Sequence, residues 1–212
     1  MSGRILAIDT TGDAGSIALI DGGQLIEESA LHSPDGFAHV LFGAIEQLLA
    51  RHCLKLRDID VFASASGPGS FTGVRVGLAA AKGLAEAADR KVSAVSNLQT
   101  LASFGTRPLR AVVLDARRAE IFGAVYDHHL SIVCDEVVMK FDDWLAELPA
   151  GDLEFITAGY QGNFPSPPIQ APAMLAGAVG RIAAERIDTA QDPSLIDANY
   201  VRRSDAELHW KD

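Results

Sequence analysis

Residues 5–12, Ile5-Leu6-Ala7-Ile8-Asp9-Thr10-Thr11-Gly12, decide the fold, because a close counterpart stands at 111–118 as Ala111-Val112-Val113-Leu114-Asp115-Ala116-Arg117-Arg118. The offset is 106 positions, and it carries forward without gaps to set Ile17-Ala18-Leu19-Ile20-Asp21 over Gly123-Ala124-Val125-Tyr126-Asp127. Each copy reads as an apolar strand ending in Asp, a short turn and a second strand. A third strand follows at 24–31 in the first copy and at 130–139 in the second. The apolar–polar alternation is loose, as expected for strands covered on both faces. A fixed offset of this kind marks an internal duplication.

Beyond the third strand the first copy predicts a helix over 35–53, a strand over 59–65, a helix over 72–89, a strand over 91–95 and a short helix over 98–104. The second copy is thinner: a helix over 141–148, a strand over 153–158 and a helix over 173–186, with the Gly- and Pro-rich stretch 159–172 between them as a loop. Arg107-Pro108 marks the boundary between a first domain, 1–106, and a second, reduced one, 107–212. Two β-β-β-α-β-α units with mixed sheets, each with an acidic residue closing its first strand, resemble the α/β, two-domain fold of actin, sugar kinases and heat-shock ATPases. The resemblance implies that Asp9 and Asp115 stand where that superfamily holds a nucleotide's phosphates and metal, though a fold does not by itself confer an activity.

The most distinctive segment is Gly67-Pro68-Gly69-Ser70-Phe71-Thr72-Gly73-Val74-Arg75-Val76-Gly77. It reads as a strand-to-helix turn, with glycines for positive φ and close backbone approach, Pro68 to stiffen the bend and Thr72 as the helix N-cap. The unpaired N–H groups of such a helix start suit an anion. As a phosphate loop it is poor, since there is no Gly-Lys-Ser/Thr ending and Thr72 stands where a dinucleotide fingerprint needs its third glycine. Together with the opening Ile-Leu-Ala-Ile-Asp-Thr-Thr, the run Asp115-Ala116-Arg117 with Glu120, and the terminal Tyr200-Val201-Arg202, the block resembles the bacterial TsaB (YeaZ) family, paralogous to the glycoprotease-like TsaD family. Two departures stand out. Ala198 occupies a position where relatives usually carry proline, and the segments after Gly151 are short.

That resemblance implies a role in making threonylcarbamoyladenosine beside the anticodon of tRNAs that read codons beginning with A. It implies binding to TsaD, which carries the catalytic and metal residues, and to the ATPase TsaE, with homodimers formed through helices of the first domain. ATP and magnesium would be used by the complex, with no cofactor assigned to this chain, and tRNA would be met only through the complex.

The residues themselves argue against catalysis by this chain. The paralogue's two metal-binding histidines lie four apart on a helix, which puts both on one face. The histidines here, His32, His39, His52, His128, His129 and His209, offer no such pair, and His39 alone falls in the matching helix. Asp9, Thr10, Thr11 and Asp115 are weak nucleotide-binding candidates, because an Asp at a strand end also makes turns by bonding its own backbone. Residues 116–118 replace Thr-Thr-Gly with Ala-Arg-Arg. An independent ATP-dependent kinase-like enzyme remains the alternative, followed by a metallo-glycopeptidase.

Winding 35–53 as a helix places Phe37, Val40, Leu41, Ala44, Ile45, Leu48 and His52 in one stripe, widened by Phe42, Leu49 and Cys53 past what one sheet face covers. The following helix carries the small residues Gly73, Gly77, Ala80, Ala81, Ala85 and Ala88. A partner surface is expected at Phe42, Ile45 and Leu49 with Arg75, Gly77 and Ala81, in a two-fold-like four-helix contact.

Bulk properties fit this reading. The 212 residues carry 48% hydrophobic and 22% charged side chains, ordinary for a folded protein. A net charge of −10 with no dense Lys/Arg run opposes nucleic acid binding by the chain alone. Two cysteines without a CxxC pair are expected as buried thiols in a reducing compartment. With no secretory pattern at the start and no long apolar run, a soluble cytoplasmic protein away from the membrane is expected.

Overall fold

The apolar run ending at Asp9 forms β1 (Arg4–Asp9), the middle strand of the first sheet, in a computed structural model that describes residues 3–201. β2 (Gly15–Asp21) and β3 (Gln24–Leu31) continue from it as an antiparallel meander, with Ile5 opposite Ile20 and Ile17 opposite Ser29. After α1 (Leu41–Arg51) the chain returns as β4 (Val61–Ala65), parallel to β1. After α2 (Phe71–Ala88) it returns again as β5 (Lys91–Val95), parallel to β4. The order is β3-β2-β1-β4-β5.

A short helix, α3 (Asn97–Ala102), leads into the second copy. There β6 (Leu109–Arg117), β7 (Glu120–Asp127) and β8 (Ile132–Met139) form the meander, followed by α4 (Phe141–Ala146), β9 (Leu153–Thr157) and β10 (Ile169–Gln170). Read from β8, the order β8-β7-β6-β9-β10 is that of the first sheet. The duplicated fold expected from the sequence is therefore present, with two mixed five-stranded sheets. The equivalent pairs Ile5/Val61 and Ala111/Phe155 stand 56 and 44 residues apart, so the second copy is shortened between its first and fourth strands. The stretch expected as a loop contains β10, which pairs with β9 through Ile169 and Gln170.

The largest difference concerns the final helix, α5 (Ala176–Glu185). The duplication assigns it to the second copy, but it packs on β1 and β2 of the first sheet. Residues 3–97 together with Ala173–Ala198 form one compact unit, and Leu98–Pro172 with residues 199–201 form the other, in place of a single cut at 106/107. The physical reason lies in the faces of β1. Leu6 and Ile8 join α1 and α2 in one apolar core, with Leu41, Leu48, Val74 and Ala81. Successive side chains of a strand point to opposite faces, so Ala7 looks the other way and needs its own cover. α5 supplies it at close range: a Cβ on Gly180 would stand 2.5 Å from Ile20 and 3.1 Å from Ala7. No repeat pattern reveals which sheet a helix will cover.

In the second unit β6, β7 and β9 pack against α4 and an aromatic group of Phe141, Trp144, Phe155, Tyr160 and Phe164. Gly123 lets the Trp144 ring lie on β7, since a Cβ there would sit 2.7 Å from it. Both cysteines depart from expectation. Cys53 is exposed, at a left-handed position (φ 55°) just past the end of α1, and Cys134 is half-buried, with its thiol pushed up by partial burial. Among the described residues no helix is long and apolar enough to cross a membrane.

Candidate functional site

The end of β1, the glycine-rich turn and the start of α3 meet in the first unit and are joined by hydrogen bonds. Asp9 is 2% exposed. Its Oδ1 accepts from the Thr11 backbone N–H (2.9 Å) and from the Thr11 hydroxyl (2.6 Å). Burial pushes the Asp9 carboxyl upward, opposed by the two Thr11 bonds, and the nearby Glu28 adds to the rise. The same Thr11 hydroxyl accepts from the Asn97 side-chain amide, whose oxygen in turn accepts from the Gly67 N–H at 3.0 Å. Asn97 also donates its backbone N–H to the Gly67 carbonyl (2.8 Å).

The turn itself closes on residues 10 and 11. Ser70 donates its N–H to the Thr11 carbonyl (2.7 Å), and the Thr10 hydroxyl donates to the Gly73 carbonyl (2.6 Å). A Cβ on Gly69 would stand 2.7 Å from the Thr11 carbonyl oxygen, one on Gly77 2.7 Å from the Thr10 hydroxyl, and one on Gly73 would collide with the Thr10 carbonyl. These glycines therefore admit the chain's own Asp-Thr-Thr turn. The N-cap of α2 is Ser70, whose hydroxyl accepts from Gly73 N–H at 3.3 Å, and Thr72 lies inside the first turn. The N-cap stands two residues earlier than expected because Ser70 occupies the position from which a side-chain oxygen reaches the third helical N–H. Gly67 takes positive φ (103°) at the bend before Pro68.

Asp115 repeats the local geometry with a different environment. Its Oδ1 accepts from Arg117 N–H (2.7 Å), as Asp9 does from Thr11, but its side chain is exposed and pairs with the Arg117 guanidinium at 3.3 Å. Both strand-end carboxylates thus cap their own turns. Among the described residues no group of three or more His, Cys, Asp or Glu could hold a metal ion, and His39 lies exposed in a 3-10 turn (Phe37–His39) outside α1. His209 and Arg202 fall outside the described residues.

The expected partner surface divides. Ile45, Leu49, Gly77 and Ala81 face their own core, because the sheet and the neighbouring helix together cover more of α1 and α2 than one sheet face could. Phe42 (57% exposed) and Arg75 lie on the outside. Phe71, which sequence reasoning treated only as part of the turn, is 48% exposed and carries the Arg75 guanidinium 3.5 Å above its ring. The i, i+4 spacing of Phe71 and Arg75 was the available signal. Farther along α2 the outward positions Ala79, Gly83 and Ala87 are small, whereas Gly73, Gly77, Ala80, Ala81 and Ala85 are the small residues turned toward the sheet and the Thr10 turn.

Known proteins are similar to this chain. The family model described as "TsaD: tRNA N6-adenosine threonylcarbamoyltransferase" matches residues 34–196. A Bacillus subtilis protein named tRNA threonylcarbamoyladenosine biosynthesis protein TsaB is 30% identical over 97% of this chain and 97% of its own length. A protein of the same name from Escherichia coli is 38% identical over 58% of this chain and 54% of its own. The solved structure of YeaZ from Pseudomonas aeruginosa superposes with a TM-score of 0.78 at 26% identity, covering 93% of this chain and 99% of that one. A family model over residues 34–196 and a relative matched over 97% of both chains place the chain in the TsaB (YeaZ) family, within the wider TsaD-like group.

Proposed function

We propose that this chain serves the biosynthesis of threonylcarbamoyladenosine in tRNA as a non-catalytic partner subunit. It docks through the outer face of α1 and α2 on a TsaD-family protein, and on a second copy of itself when that protein is absent. The names of the relatives supply the pathway. One observation supports the non-catalytic role above all: the Asp9 carboxylate is buried and already bonded to Thr11, while the glycines beside it are filled by the Thr10 and Thr11 backbone. Both Thr11 bonds fall on Oδ1, which commits that oxygen to the chain's own turn and away from any metal or phosphate.

The subunit acts by stabilising its partner's competent conformation, and binding can shift such an equilibrium only by favouring one state over the other. TsaE joins the assembly, ATP and magnesium are used there, and tRNA is held through the complex, since a chain of net charge −10 repels phosphates on average. Phe42 and the Phe71–Arg75 pair are the kind of exposed aromatic and arginine anchors that carry binding energy at the centre of an interface. Phe42→Asp should weaken association with the TsaD-family protein by about 2 kcal/mol or more, roughly thirtyfold, with the circular dichroism spectrum unchanged. Co-sedimentation equal to the unmodified chain would sink the proposed surface.

A further inference from the structure

In the first unit, the elements that form the partner-facing start of α2 are fastened to β1 by a directed chain of hydrogen bonds, and each link has a defined chemical role. The Thr11 hydroxyl gives its only proton to Asp9 Oδ1 (2.6 Å) and so can meet the Asn97 amide only as an acceptor. Asn97 then holds the Gly67 peptide on both sides, accepting from its N–H at 3.0 Å and donating to its carbonyl at 2.8 Å. Ser70, three residues on, is tied to the Thr11 carbonyl at 2.7 Å, and Gly73 to the Thr10 hydroxyl at 2.6 Å. Phe71 sits between those two ties. Arg75 lies one helical turn further, stacked on it at 3.5 Å.

We propose that Thr11 and Asn97 are positioning residues for the partner surface: the Asp9–Thr11–Asn97–Gly67 chain fixes the first turn of α2 and thereby the direction in which the Phe71–Arg75 pair is presented. The inference rests on the reading of α1 and α2 as the docking face. The burial of the chain makes it stiff. Thr11 is 4% and Asn97 4% exposed, so water cannot replace a lost partner without opening the turn. A side chain at position 11 must both donate and accept. Serine satisfies that requirement and valine, of nearly the same shape, fails it. At position 97 the side chain must donate to a hydroxyl and accept from an N–H at once, which an amide does and alanine does not.

The test uses the full-length chain and its TsaD-family partner. Association is measured by sedimentation velocity for Thr11→Val, Thr11→Ser, Asn97→Ala and Phe42→Asp. A control, Ile182→Val, lies in α5 in the same unit. Amide exchange over residues 67–77 is read in parallel. The expected result is a loss of about tenfold in affinity, ~1.4 kcal/mol, for Thr11→Val and Asn97→Ala. Exchange should be faster at Ser70 and Gly73 in both, with Thr11→Ser within twofold of the unmodified chain. Ile182→Val should leave affinity unchanged even when its melting temperature has fallen as far. Normal affinity in Thr11→Val and Asn97→Ala beside a disrupted Phe42→Asp overturns the positioning role alone, and so does an equal loss in the α5 control, which makes the effect one of general stability. Undisturbed association in Phe42→Asp overturns the docking face and the positioning role with it.

Discussion

At the scale of single residues, Asp9 shows how a group typical of catalysis can serve structure. Its value lies in two accepted hydrogen bonds, and its charge is a burden in a buried site beside Glu28. Since burial holds the folded pKa above the ordinary 3.8, the folded state keeps this proton more tightly than the unfolded one. Its contribution to stability is therefore greatest below the unfolded pKa and is lost as pH rises through the folded pKa. Asp9→Asn keeps a carbonyl oxygen for Thr11 and removes the charge. It should leave urea stability at pH 7 equal or higher, and it should flatten the decline with rising pH. Asp9→Ala strands the Thr11 N–H and hydroxyl and should cost about 1–3 kcal/mol. Loss of stability in Asp9→Asn as large as in Asp9→Ala would show that the ionised form is needed. The sequence named Asp9, Thr10 and Thr11 but left open whether they reach outward or bind one another, because the deciding partner, Asn97, lies 86 positions from Thr11.

At the scale of elements, most strands and helices were readable to within a residue or two. β3 falls at 24–31 and β5 at 91–95 as expected, because turn residues stand before each, Gly22-Gly23 and Asp89-Arg90. β10 was missed, as two residues in a Pro-rich stretch leave no periodicity to detect. The assignment of α5 failed for another reason. Its amphipathic pattern shows that one side is buried but is silent on which sheet buries it. In the structure Ser16 Oγ accepts from Ala176 N–H at 3.0 Å and Glu28 from Gly177 N–H at 2.9 Å, so the helix start is capped by side chains of β2 and β3. A fragment of residues 1–106 contains all five strands of the first sheet yet lacks this cover. It should aggregate or bind hydrophobic dye when expressed alone, and co-expression or linkage of residues 173–198 should restore a cooperative melt. A cooperatively folded 1–106 fragment would contradict the assignment of α5 to the first sheet.

At the scale of the whole molecule, the duplicated sheets have kept one topology while their two acidic turns have diverged. The first is sealed around Thr11 and Asn97, and the second is exposed and paired with Arg117. The residues of the proposed partner surface divide by burial. A helix wheel gave a stripe too wide for one sheet face, but it could not divide Phe42, which remains outside, from Ile45 and Leu49, which the core takes in. What is left on the outer face suits association, with its exposed aromatics and small outward positions, and in the interior the Oδ1 of the first acidic turn is taken up by Thr11. Whether such a chain assists a reaction without performing it is read most directly from the rate of tRNA threonylcarbamoylation in a reconstituted mixture. That mixture holds the TsaD- and TsaE-family proteins, tRNA, ATP and threonylcarbamoyl-adenylate. With this chain added the modification should proceed, with Asp9→Asn in its place it should proceed at a similar rate, and with Phe42→Asp or no chain it should nearly cease. Equal modification in the chain's absence, or its abolition by Asp9→Asn in a protein that still binds its partner, would contradict the role of a non-catalytic subunit.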